Sequence, residues 1–245
     1  MLRVPILMYH EVSPQLWAGF EKYVVAPDAF DHQMETIVRA GFESIDLDTL
    51  SKARSNPACL PRKPIVITFD DGFRDCVAIA SPIMQTYRLT ATFFLVSSLM
   101  GRSSEWLARE RSLHIPIASW RDARDLIAAG FQCGSHSLSH PRFTELTRDE
   151  CRTQLTESRS MLENELQTSI NHFAYPFGLY SEESRAAVAA AGYVSACSVR
   201  QGTSGPGDDC FALHRVSING TDTLPVFKRK LARSLIEKVA ARLRS

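Results

Sequence analysis

A chain of 245 residues with 44% hydrophobic content is long enough to bury a sizeable core in one α/β domain. A formal net charge of +1 provides no global field for nucleic acid, and the sequence carries no nucleic-acid-binding signature. The first twelve residues hold one basic side chain and an apolar run too short for a secretory leader, no stretch reaches membrane-span length, and a cytoplasmic protein is expected.

Strand-length apolar runs alternate with segments of helical period. The run 4–9 ends at His10. A helical face follows at Phe30, Met34, Ile37 and Val38. The run 65–69 leads into Asp70, Asp71 and Gly72. The next helix shows Phe73, Val77, Ala80, Met84 and Tyr87, with Pro82 expected to kink or restart it. Strands are predicted over 91–96 and over 131–134, the second followed by His136 and His140. Thr147 and Glu150 have the spacing of a capping box, opening a long helix through Leu155, Leu162 and Leu166. The run 170–174 meets Tyr175, Pro176, Phe177 and Gly178, and Ser181 caps a helix that stops at Gly192. Strands over 193–197 and 213–218 flank a long polar loop at 201–209. The tail, 222–245, is a basic amphipathic helix of the same domain, with Phe227, Leu231, Leu235 and Val239 on one face. Packing on the body of the protein is its expected role; contact with an anionic membrane surface is the alternative.

About seven near-continuous apolar strands separated by helices imply a parallel (β/α) barrel, incomplete or distorted relative to eight strands, in a single domain spanning 1–245. An open doubly wound sheet is the alternative, but no strand is followed by a GxGxxG fingerprint. The six cysteines are scattered without a CxxC pair and are expected to be reduced.

In a barrel of this type, function gathers at the C-terminal ends of the strands. Two adjacent carboxylates there, Asp70 and Asp71, suit a division between holding a metal and moving a proton; an ordinary Asp-Gly turn is the plain alternative. His136 and His140, at i and i+4, share one face of a helical turn and can converge on one ion. One carboxylate with two imidazoles leaves positions open for water and substrate, as a catalytic metal site requires. Two surface histidines on a loop are the competing reading. Zn²⁺ is the default ion for this set, and Co²⁺, Ni²⁺ and Mn²⁺ accept the same ligands. Tyr175 and Phe177 around Pro176 make a rigid aromatic lip suited to a sugar, or else a strand-end plug.

These residues carry a resemblance. ILMYHEV at 6–12, ITFDDGFRD at 67–75, ATFFLV at 91–96, GSHSLSH at 134–140 and FAYPFG at 173–178 resemble, in order, the motifs of the polysaccharide deacetylase family, the NodB-homology group of carbohydrate esterases. The resemblance implies a metal-dependent hydrolase that removes N-acetyl groups from an amino-sugar polymer or its precursor. The MYH and YPFG pieces point to the branch acting on bacterial exopolysaccharide or cell-surface polysaccharide. It implies Asp70 as general base, Asp71, His136 and His140 as metal ligands, and the Phe177 N–H as oxyanion donor. The partner it implies is a carbohydrate.

Two departures stand out. Many family members carry an arginine two residues before the motif proline; here that position is Ala174. Arg215 could supply the guanidinium from the last strand, or be an exposed strand-end residue. For the general acid, His214 sits in the region of the family's late histidine. It adjoins Arg215, and strand alternation allows only one of the two to point inward. His10 is the other candidate acid or substrate contact. A non-catalytic carbohydrate-binding barrel and a C–N hydrolase of small amides are the rival functions.

Overall fold

Seven parallel strands close on themselves: β1 (Val4–Tyr9), β2 (Pro64–Phe69), β3 (Thr92–Leu95), β4 (Gln132–Ser135), β5 (His172–Ala174), β6 (Ser195–Gln201) and β7 (Leu213–Ser217). The computed structural model describes the backbone of residues 3–242 and side chains as far as Arg233. Each strand pairs with its sequence neighbour, and β7 returns to β1 through Leu7–Val216 and Met8–Ser217, which closes the barrel. All seven predicted strands are present, and the barrel has seven strands rather than eight.

The helices between them are α1 (Pro27–Arg39), α2 (Leu47–Lys52), α3 (Ser81–Thr86), α4 (Glu105–Arg111), α5 (Trp120–Ala128), α6 (Arg148–Leu166), α7 (Glu182–Ala190) and α8 (Leu224–Arg242). Phe30, Met34 and Ile37 of α1 are buried as the pattern predicts, whereas Val38 is 41% exposed. Thr147 and Glu150 form the expected capping box, and Ser181 caps α7. Before Pro82 the chain widens into a π-helical stretch, Cys76–Ala80, and α3 restarts around the proline. Widening there accommodates a ring that has no N–H to give. Phe73 lies outside that helix, in a bridge to Ile117.

The segment 201–209 is not one loop. Strand β6 runs through Gln201, and Thr203–Ser204 pairs antiparallel with Val4 and Pro5. Helix α8 packs against α1 and β1 and buries Phe227 and Leu231. Leu235 and Val239 lie outside the residues whose side chains are described. Among the described residues no helix is long and apolar enough to cross a membrane. All six cysteines are unpaired.

Alternation along the strands sorts side chains between two cores. Outward-facing Leu7, Ile67, Phe69, Phe93 and Phe173 pack under the helices. Inward-facing Val4, Ile6, Val66, Phe94, Ala174, Cys197 and Leu213 plug the barrel. Gly134 is required by this plug: a Cβ there would stand 2.6 Å from the Phe94 ring. Toward the C-terminal ends of the strands the interior turns polar, and the site begins there.

Candidate active site

Extended neighbours normally face opposite sides of a sheet, so two adjacent aspartates should not reach one cavity. The chain solves this at the end of β2. Asp71 has φ +71° and Gly72 φ +68°, a left-handed turn that swings Asp71 back beside Asp70. Aspartate is among the few side chains that tolerate this conformation. Both carboxylates are buried.

After β4, the segment carrying His136 and His140 is not the helical turn expected from its spacing. Ser137 and His140 both have positive φ, at 72° and 63°. The His140 N–H donates to Ser137 Oγ at 2.9 Å, which holds the turn. Even so, the rings converge: His136 Nε2 lies 3.2 Å and His140 Nε2 3.1 Å from the same Asp71 oxygen.

The donor set fits a divalent cation. Asp71, His136 and His140 offer three ligand atoms within 4.8 Å of one another. His136 Nδ1–H donates to the Ala174 carbonyl at 2.8 Å, which leaves Nε2 with a lone pair facing Asp71. Without a cation, both imidazoles would need a proton on Nε2 to bond that oxygen. For His136, which already donates from Nδ1, that would mean a buried positive charge, whereas burial lowers the His140 pKa and favours a neutral ring there. Burial also works to raise Asp71, but hydrogen bonds with His136 and His140 outweigh it and hold the carboxylate ionised.

Asp70 has a different partner. Arg215 points into the barrel, is 0% exposed and grips Asp70 with both arms, Nη1 to Oδ1 at 2.7 Å and Nη2 to Oδ2 at 2.6 Å. Its Nε donates to the Ser198 carbonyl at 2.8 Å, and Nη1 also reaches Thr68 Oγ1 at 3.1 Å. Burial alone would raise the Asp70 pKa; the guanidinium's charge and hydrogen bonds overcome that and lower it.

His214 is not brought to the site. Its backbone N–H bonds Ser204 Oγ at 2.8 Å, and its ring lies over Gly202. The candidacy of His214 as acid is therefore corrected by the strand alternation that turns Arg215 inward. His10 does line the cavity, 4.8 Å from the Tyr23 ring, and burial lowers its pKa against the pull of Asp71 and Asp70. Phe177, at φ +58°, lies against His140 with ring centroids 4.6 Å apart. Gly178 must be glycine: it has φ +70°, and a Cβ would collide with Val199. The cavity holding these groups measures about 400 Å³.

Residues 58–196 match the family model described as polysaccharide deacetylase. The chain belongs to the polysaccharide deacetylase family. A curated relative of this deacetylase, "Putative polysaccharide deacetylase YxkH" of Bacillus subtilis, is 24% identical over 217 residues, 89% of this chain and 72% of the relative. The Streptococcus pyogenes deacetylase PplD, a structure determined with acetate, superposes with TM-score 0.81 at 22% identity, covering 94% of this chain and 98% of that one. IcaB from Ammonifex degensii gives TM-score 0.80 at 20% identity, over 96% and 97% of the two chains. At these identities the structural likeness establishes the fold.

Two residues lining the cavity, and one buried carboxyl beside His10 in the chain, have no role in the sequence reading. Trp106 and Arg142 line the cavity from α4 and from the turn after His140. The third, Glu11, is 1% exposed; its Oε1 accepts a long 3.4 Å bond from Trp17 Nε1, and Oε2 has no partner among the described residues. Burial pushes this carboxyl from 4.5 up to about 8. The folded protein thus keeps a proton that the unfolded chain releases near 4.5, so stability is lost progressively as pH rises from about 4.5 to about 8. Glu11→Gln should remove that loss and stabilise the protein by roughly 3 kcal/mol at pH 7. Thermal unfolding of both proteins from pH 5 to 8 checks this; parallel curves would refute it.

Proposed function

We propose that this deacetylase removes N-acetyl groups from an amino-sugar polysaccharide or its precursor, using one divalent ion held by Asp71, His136 and His140. Zn²⁺ is the first choice, with Co²⁺, Ni²⁺ and Mn²⁺ compatible with the same donors. The observation that carries the reading is the placement of two differently partnered carboxylates side by side, one among imidazoles and one on a buried arginine. An ordinary Asp-Gly turn requires neither arrangement, and a binding-only barrel has no use for an ionised carboxylate gripped by Arg215.

When bound, the cation supplies Lewis acidity toward the acyl carbonyl and the attacking water. Asp70 accepts the water's proton, and Arg215 keeps it ionised and aligned for that task. The Phe177 N–H donates to the oxygen on which negative charge develops. As the C–N bond breaks, the departing nitrogen needs a proton, and His10, which lines the cavity outside the proposed ligand set, is the candidate donor. Acetate and a free sugar amine result.

Bacterial exopolysaccharide or cell-surface polysaccharide is the proposed source of the sugar, on the strength of the MYH and YPFG segments. A cytoplasmic location, supported by the free thiols, belongs to the same proposal. The test is acetate release from a panel of N-acetylated oligosaccharides, with metal content measured on the same sample. Acetate should appear in step with free amine, stop on chelation and return with Zn²⁺. Acetate release that survives complete metal removal would overturn the metal assignment. Cleavage of small amides but no sugar would favour the amide hydrolase.

A further inference from the structure

The two imidazoles of the proposed metal site are held in different ways. His136 is fixed by a hydrogen bond from Nδ1 to a backbone carbonyl. His140 has no such anchor: its buried Nδ1 has no hydrogen-bond partner among the described residues. A ligand histidine usually gains its orientation from a bond at its second nitrogen. The His140 ring is instead confined between aromatic neighbours. The Trp106 indole stacks on it, with centroids 4.1 Å apart and planes 21° apart. The Phe177 ring meets it at 67° from 4.6 Å.

This stack is tied back to its own starting helix. The Arg142 guanidinium lies over the Phe177 ring, 4.1 Å from its centroid, and donates to Glu110 Oε1 at 2.7 Å. Glu110 and Trp106 are i+4 and i on α4, hence on one face. The contacts therefore run in a ring: Trp106 to His140, Phe177, Arg142, Glu110 and back to α4. Trp106 is 3% exposed and is the member that stacks face to face on the unanchored imidazole.

We propose that Trp106 is a positioning residue for the metal site, its stacked indole setting the plane in which His140 presents Nε2 in place of the hydrogen bond that His140 lacks. The assignment rests on the metal reading of the previous section. Phe177, in edge contact with the ring, is steadied by the same circuit.

Zinc affinity, read on folded protein by competition with a chromophoric chelator, is the measurement. Trp106→Leu keeps an apolar side chain and removes the stacking plane. It should bind Zn²⁺ about 10–100-fold more weakly, the range expected when the support around a ligand is lost. Trp106→Phe retains a ring and should recover most of that loss. Intrinsic fluorescence gives a second readout that does not need the leucine variant to fold. Zn²⁺ should change the emission of the wild type but not of Trp106→Phe, which still contains Trp17 and Trp120. Unchanged affinity in folded Trp106→Leu would overturn the assignment, as would a zinc-dependent emission change that survives in Trp106→Phe. Failure of the wild type to take up zinc would sink the metal reading itself, and the role of Trp106 with it.

Discussion

Asp70→Asn should keep its divalent ion and lose about 10²- to 10⁴-fold in turnover, the usual worth of a general base. The three candidate donor atoms come from Asp71, His136 and His140, so on the proposed reading the amide leaves the ligand set intact. Asp71→Asn, His136→Ala and His140→Ala should behave otherwise, losing ion and activity together. The Asp70 variant also leaves Arg215 buried against a neutral partner, so turnover is best compared well below its unfolding temperature. Metal content and turnover measured side by side decide the matter. Loss of the ion in Asp70→Asn with retention in Asp71→Asn would exchange the two roles. Full activity and full metal in both would return the pair to an ordinary turn.

Arg215→Met should be as damaging, through stability as well as rate. Breaking a buried ion pair by removing one member costs about 3–5 kcal/mol, because the other is left buried and uncompensated. For a protein of this size that is a fall of roughly 6–20 °C in Tm. The pH dependence has a definite sign. With Arg215 in place the folded Asp70 pKa lies below 3.8, so the pair's contribution is present above that value and lost only as pH falls through the folded one. Without the guanidinium, burial is left to push Asp70 upward, and the acidic limb of kcat/KM should move to higher pH. Arg215→Lys should fall between, since an ammonium cannot make the fork. A pH profile identical to that of the wild type in folded Arg215→Met would remove Arg215 from any role in holding the base.

The barrel was legible because strands covered on both faces must be apolar almost throughout, and runs such as 65–69 and 91–96 leave little choice. The carboxylates and histidines were legible from their places after strands. How they meet was not. Convergence depends on positive φ at Asp71, Ser137 and His140, and non-glycine residues in that conformation leave no periodic signature. Alternation showed that only one of His214 and Arg215 could face inward; which one depended on the carboxylate waiting inside. Helix α4 escaped notice because seven residues, four of them charged, show no apolar period, yet it delivers Trp106 to the cavity wall.

Beside β7 the register slips. Leu213 aligns with Cys197, but Arg215 aligns with Gln201, four residues on. The extra length in β6 frees the Ser198 carbonyl, and Arg215 Nε takes it. Ala174, where many relatives carry an arginine, lies on β5, separated from β7 only by β6, and faces the same interior. A carboxylate on the axis of a closed barrel is within reach of long side chains from more than one strand. A guanidinium can therefore reach the same destination from different staves of the barrel. With Ala174 short and apolar, the guanidinium that meets Asp70 in this chain comes from Arg215 instead.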